Sequence, residues 1–223
     1  MHVVLTREHG HNEKLKAWLP DDAVVNEVPL THTHYFDVNE VRATIMASDF
    51  AGRFKALVVT SARSARYVAA AKDALAEGAL VLSVGAATTR ALDGETTDVD
   101  VEGEGGALEL AAEIFDGPVL LLGASTMRRE LPTILRARGL EVTKLACYET
   151  LPTTLSAADE VLLRRADVVL IGAPSAWHVA EGFIDPRTWV IVPGATTGDE
   201  VRRFHEHVFV GWGPDLLEHL RAL

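Results

Sequence analysis

A single cysteine among 223 residues rules out an internal disulfide and a thiolate metal cluster. No apolar run reaches the length of a membrane span, and no charged n-region followed by an apolar h-region reads as a leader. These absences lead to the expectation of a soluble cytoplasmic protein. Positive charge is also scarce. Twenty-one Lys and Arg against 32 Asp and Glu give a formal charge of −11, a field that attracts neither nucleic acid nor an anionic membrane. Neither GxGxxG nor GxxxxGK[ST] occurs, so nicotinamide, flavin and P-loop nucleotide chemistry lack their phosphate cradles. Nor is there a GxSxG elbow for a nucleophilic serine, since GAPSAW does not match it. Nine histidines are present, and those in the pairs His9 and His11, His32 and His34, and His205 and His207 stand two apart, a spacing that does not share a helix face. They read as surface or linker residues, and no metal or cofactor is expected. Cys147 reads as a small buried apolar side chain.

What the chain does contain, it contains twice. VVTSARSARYV and then SVGAATTRAL return about half a chain later as VLIGAPSAWHV and VPGATTGDEV. The segments VVLTR and VVNEVPL likewise match VLLLGAS and EVTKLACYET. Such an offset indicates duplication rather than a solenoid period. With 48% apolar residues the chain can bury two modest cores.

Short apolar runs at 3–5, 24–28, 56–59, 80–84, 119–122, 142–146, 168–171 and 189–192 alternate with stretches of helical spacing. That alternation predicts βα units and largely parallel sheets. Leu15, Trp18 and Leu19 share one helical face, as do Met127, Leu131, Ile134 and Leu135. The spacing predicts a helix over 64–77 ended by Gly78, a turn at Gly105 and Gly106, and a last helix from Pro214 that carries Leu216, Leu217 and Leu220. Segments 24–30 and 145–150 occupy equivalent places in the repeat and read as linker strands. If they pair, the chain crosses twice between two similar parallel-sheet α/β domains. The fold expected is then two such domains joined by a two-stranded ladder, with a cleft between them. Residues 1–30 plus 153–223 would form one domain, and 31–152, including the strand near 145–150, the other.

The repeated positions all fall just after strands, where helices begin: Thr60 and Ser61, 85–89, 123–125, Pro174 and Ser175, and 194–197. Carboxyl ends of parallel strands are where open α/β sheets bind ligands. Unpaired N–H groups and hydroxyls there can hold an anion, so an acidic protein needs no basic patch to bind one. For any one of these Ser or Thr residues, helix capping is an equal reading. Tyr148 in CYET lies on the second linker segment, where strand alternation turns it away from its apolar neighbours. It could donate a hydrogen bond to a leaving oxygen, or it could serve packing alone. Arg7 and Arg63 follow strands and could meet carboxylates or solvent.

Taken in order, VVLTR, VVTSARSA, SVGAATTRAL, VLLLGAS with RRELPTILRARGLEV, CYET, VVLIGAPSAWHV and VPGATT resemble the uroporphyrinogen-III synthase family over nearly the whole chain. The resemblance implies a cofactor-free hydro-lyase of tetrapyrrole and heme biosynthesis, monomeric, with two α/β domains. It also implies cyclisation of hydroxymethylbilane with inversion of ring D through a spiro intermediate and loss of water. Matched to the family's motifs, Tyr148 is the acid or hydrogen-bond candidate. Thr88, Thr196 and Thr197 are candidate donors to the substrate, while Ser61 and Ser175 are candidate carboxylate contacts; Arg7 joins the candidate substrate contacts on its place after the first strand alone. The chain departs from the pattern at Glu8, at Gly123 to Ser125 and at Gly172 to Ser175. A non-catalytic module for an anionic metabolite or tetrapyrrole, and a remnant of the synthase fold, remain as alternatives at this level.

Overall fold

Along the chain, a computed structural model places β1 (His2–Leu5), α1 (Glu13–Lys16), β2 (Val24–Glu27), β3 (Thr31–Tyr35), α2 (Val38–Ala47) and β4 (Phe54–Val59). Two 3-10 stretches, Ala62–Tyr67 and Lys72–Ala74, flank α3 (Val68–Ala71). Next come β5 (Leu75–Ser83), α4 (Ala86–Gly94), β6 (Val101–Glu102), α5 (Ala107–Ala112), β7 (Val119–Ala124), α6 (Glu130–Ala137) and β8 (Val142–Pro152). The chain closes with α7 (Ala157–Arg164), β9 (Val168–Leu170), α8 (Pro174–Ala180), β10 (Trp189–Val192), α9 (Ala195–Val201), β11 (Val208–Val210) and α10 (Pro214–Arg221). The structure describes residues 1–47, 49–104 and 106–222. Gly105 of the expected double-glycine turn and the side chain of Leu217 lie outside the described residues.

The chain divides into a unit of Met1–His32 with Leu151–Leu223 and a unit of Thr33–Thr150. In the first, the strand order is β11-β10-β9-β1-β2, with all pairs parallel. Helices cover both faces, so β9 reads as the unbroken apolar run VVL rather than an alternating one. Val3 and Leu5 pack with Leu15, Leu19, Leu216 and Leu220, whereas Val4 turns to Leu163, Trp177 and Ala180 on the opposite face. Each such side chain, fully buried, contributes roughly 1.5–3 kcal/mol. His205 departs from the surface expectation. It is buried beside Trp177, and its Nε2 donates to the Thr188 carbonyl at 2.6 Å.

At the end of β2, Glu27 takes Lys16 of α1 at 2.6 Å and His9 at 2.8 Å. Hydrogen bonds from Lys16 and then His9 hold its carboxyl down at about 2, against an ordinary 4.5. A carboxyl depressed by folding stabilises the protein fully above its unfolded value and loses that contribution as pH falls through its folded one. Glu27→Gln is therefore expected to be less stable than the parent above about pH 4.5, with the gap closing toward pH 2. Urea midpoints of both proteins across that window check this. A gap independent of pH would sink it.

The second unit holds the order β3-β8-β7-β4-β5-β6, with parallel pairs from β8 to β6. Leu57, Val59, Leu120 and Leu122 face Val41, Ile45, Tyr67 and Leu92; Ala56, Val58 and Leu121 face Leu110, Ile114, Leu131 and Leu135. Phe36 N–H donates to the Cys147 carbonyl and Thr153 N–H to that of Leu30, so β3 runs antiparallel to β8. β3 spans the division between units at His32 and Thr33, and β8 spans it at Thr150 and Leu151.

Two expectations are corrected here. The strand beside β8 is β3, not the 24–30 segment, because β2 instead extends the first unit's sheet next to β1. The helix expected over 64–77 is broken into 3-10, α and 3-10 turns and stops at Ala74. Leu75 is drawn into pairing with Phe54, and tertiary pairing overrides the alanine-rich helix propensity. Gly78 is not a helix stop. Phe54 pairs with Leu75 and Ala56 with Leu80, so residues 76–79 bulge out of β5, and Gly78 supplies the φ of +72° that the bulge needs.

Candidate functional site

At the carboxyl edge of the second unit's sheet, β4 ends at Val59 and is followed by Thr60 and Ser61. Ser61 is a true cap, its Oγ accepting from Arg63 N–H at 3.2 Å. Thr60 Oγ1 donates to the Leu122 carbonyl at 3.0 Å, tying the end of β4 to β7. The hydroxyl passes so close to Gly123 that a Cβ there would overlap it, and the same Cβ would stand 3.2 Å from Met127 Cγ. Glycine is required by this approach.

Next in the sheet, β8 carries a bulge. Gly123 pairs with Ala146 but Ala124 pairs with Tyr148, so Cys147 is the extra residue. Strict alternation would put Cys147 and Tyr148 on opposite faces with different burial. The bulge lets both enter the core, with Tyr148 6% exposed and its carbonyl bonded to Ser125 N–H at 2.8 Å. Burial pushes the Cys147 thiol up to about 12, which leaves it inert as a nucleophile.

Tyr148 and Ser61 border a cavity of about 600 Å³ within this unit. Thr60, Ser61, Thr126 and Tyr148 line it together with Arg128 and Glu130, and its apolar wall includes Leu110, Leu121, Met127 and Leu131. No hydrogen bond joins the Tyr148 side chain to the other described residues, whereas the Arg63 guanidinium stands 5.9 Å from its ring centroid. The arrangement offers a hydrogen-bond donor, a cation for an anionic arm and an oily surface for a flat ring. Thr88 lies apart from this cavity, 4% exposed in the first turn of α4.

The other candidates belong to the first unit, where β10, β9 and β1 are neighbours with their carboxyl ends on one edge. Arg7 follows β1, Ser175 is exposed in the first turn of α8, and Thr196 is exposed in the first turn of α9. Thr197 is buried at 5%. The Arg7 guanidinium stands 5.8 Å from the Trp212 ring, and Thr6 Oγ1 donates to the Leu170 carbonyl, tying β1 to β9. Neither α8 nor α9 has a side-chain cap, nor does α4, so Ser175, Thr196 and Thr88 are not spent on capping.

Sequence reasoning did not single out Thr126, Arg128 or Glu130, and it read Met127 and Leu131 only as a core stripe. The usable signal was their place directly after β7, at the same strand edge as the repeated motifs.

A family model described as Uroporphyrinogen-III synthase HemD matches residues 21–208. The fold is that of a mutant uroporphyrinogen III synthase from the extremely thermophilic bacterium Thermus thermophilus, at 18% identity, covering 100% of this chain and 96% of that one with a TM-score of 0.63. Uroporphyrinogen-III synthetase from Helicobacter pylori is also similar, at 15% identity over 99% of this chain and 98% of that one, TM-score 0.66. A search of curated protein sequences gave no match. At these identities the structures speak for the fold, and the family model, which spans most of the chain, speaks for descent: the chain belongs to the uroporphyrinogen-III synthase family.

Proposed function

We propose that Tyr148 and the cavity beside it carry the reaction of this family. The chain is a cyclising lyase that converts hydroxymethylbilane to uroporphyrinogen III with loss of one water. Tyr148 donates a hydrogen bond to the terminal hydroxyl as the C–O bond breaks, and water leaves with the proton it gains. The remaining electrons of ring A's pyrrole stabilise the azafulvene-like cation. Ring D attacks that carbon through its own substituted carbon to give the spiro intermediate. Fragmentation and reclosure at the other side invert ring D, and loss of a proton, which returns to the Tyr148 oxygen, restores the pyrrole.

Positioning decides the product as well as the rate, because the unbound cation closes without inversion. Carboxylate arms of the substrate are assigned to Ser61 and Arg128, which line that cavity; Arg7, Ser175 and Thr196, at the strand edge of the first unit, are assigned as anion-binding groups of that unit. Thr88 and Thr197, both buried, are assigned to holding the turns that present those groups. The two units are read as domains connected through the β3 and β8 strands.

The observation that carries this reading is Tyr148, which lines the cavity beside Thr60, Ser61 and Thr126 while its own hydroxyl has no hydrogen-bond partner among the described residues. The test supplies freshly generated hydroxymethylbilane without added metal or cofactor and resolves the oxidised porphyrin isomers. Type III product is expected. Type I alone, at the spontaneous rate and with folding confirmed, would overturn the proposal.

A further inference from the structure

Over Ala62–Tyr67 the chain is 3-10, and at three residues per turn side chains at i and i+3 eclipse. Arg63 and Arg66 therefore point the same way, one above the other, which an α-helix would not achieve as closely. Each meets a tyrosine. The Arg63 guanidinium stands 5.9 Å from the Tyr148 centroid, and that of Arg66 stands 5.1 Å from the Tyr35 centroid, both within cation–π range.

Tyr35 and Tyr148 come from adjacent strands, β3 and β8, and their ring centroids are 6.1 Å apart at a tilt of 47°. Tyr67 closes the set. Its hydroxyl donates to the Phe36 carbonyl at 2.6 Å, fastening the end of β3 to the same 3-10 helix. Arg66 also lies 5.8 Å from the Tyr67 ring. The Tyr148 ring thus has a guanidinium and a second tyrosine packed beside it, and that tyrosine has another guanidinium beside it in turn. Tyr35 is 40% exposed and stands outside the cavity's lining, so it does not reach the reacting atoms.

We infer that Tyr35, backed by Arg66, is a positioning residue that fixes the angle at which Tyr148 presents its hydroxyl to the substrate. The inference rests on the reading of Tyr148 as hydrogen-bond donor. A donor displaced by a fraction of an ångström loses alignment with the leaving oxygen, and rate falls before binding does.

Tyr35→Leu is expected to lower kcat about tenfold with KM nearly unchanged and to raise the share of type I product. Tyr35→Phe, which keeps the ring, restores the parent values. Arg66→Met gives a fall of a few fold in the same direction. The decisive comparison repeats Tyr35→Leu in a Tyr148→Phe background, where it should cause no further loss. An equal fall in both backgrounds, an effect confined to KM, or a Phe variant as impaired as the Leu one would overturn the inference. Tyr148→Phe by itself tests the underlying reading, so the two failures are told apart. Unfolding midpoints of all variants separate either result from misfolding.

Discussion

Tyr148→Phe is expected to lower kcat for uroporphyrinogen III formation by about 10²–10³-fold, with KM held within about a factor of two. The lower end corresponds to about 2.7 kcal/mol of transition-state stabilisation, the scale of one well-placed donor. The substitution removes one oxygen and little else. The ring stays among Leu145, Cys147 and the rest of the second unit's core, and the lost hydroxyl bonds to no other described residue, so the unfolding midpoint should not move. A second signature follows from competition. Hydroxymethylbilane that waits longer closes spontaneously, so type I isomer should grow in proportion to the loss of rate. Steady-state kinetics with isomer separation measures both effects. Unchanged kcat would remove Tyr148 from the mechanism, and a large rise in KM with kcat intact would make it a binding group instead.

The second large effect is structural. Gly123→Ala is expected to destabilise the protein by about 2–3 kcal/mol, the cost of forcing a methyl group into a filled site together with a disturbed hydrogen bond. The new Cβ would overlap Thr60 Oγ1 and crowd Met127, both of which border the cavity. Activity should therefore fall along with stability. Thr60→Ala in the same chain removes the obstructing oxygen, so the double variant should recover most of the lost stability, a coupling that a double-mutant cycle by urea unfolding reads directly. Additive losses would show that the close approach of Thr60 is not what demands glycine at 123.

Much of the fold is readable from local pattern. Apolar runs of three to five residues, separated by helical spacing and punctuated by glycine and proline, announce the parallel strands, and eight of the eleven strands among the described residues lie where those runs fall. The missed strands are β3, β6 and β11. THTHY in β3 has no apolar face of its own, and β6 and β11 are two and three residues long. The broken helix after Ser64 failed for a different reason, since its alanines favour a helix and only Phe54, on the strand before it, draws Leu75 into a strand.

The sequence by itself determined the doubling of the chain, the class of both sheets and the strand ends at which polar residues collect, because periodicity and turn chemistry are local properties. Only the tertiary structure decided that a bulge in β8 would bury Cys147 and Tyr148 together, that a 3-10 turn would align Arg63 and Arg66 with two tyrosines, and that Arg128 would share a cavity with Ser61. Each of these depends on the register of a strand against a partner distant in sequence, and register is set by how whole side-chain faces pack rather than by any neighbouring residue.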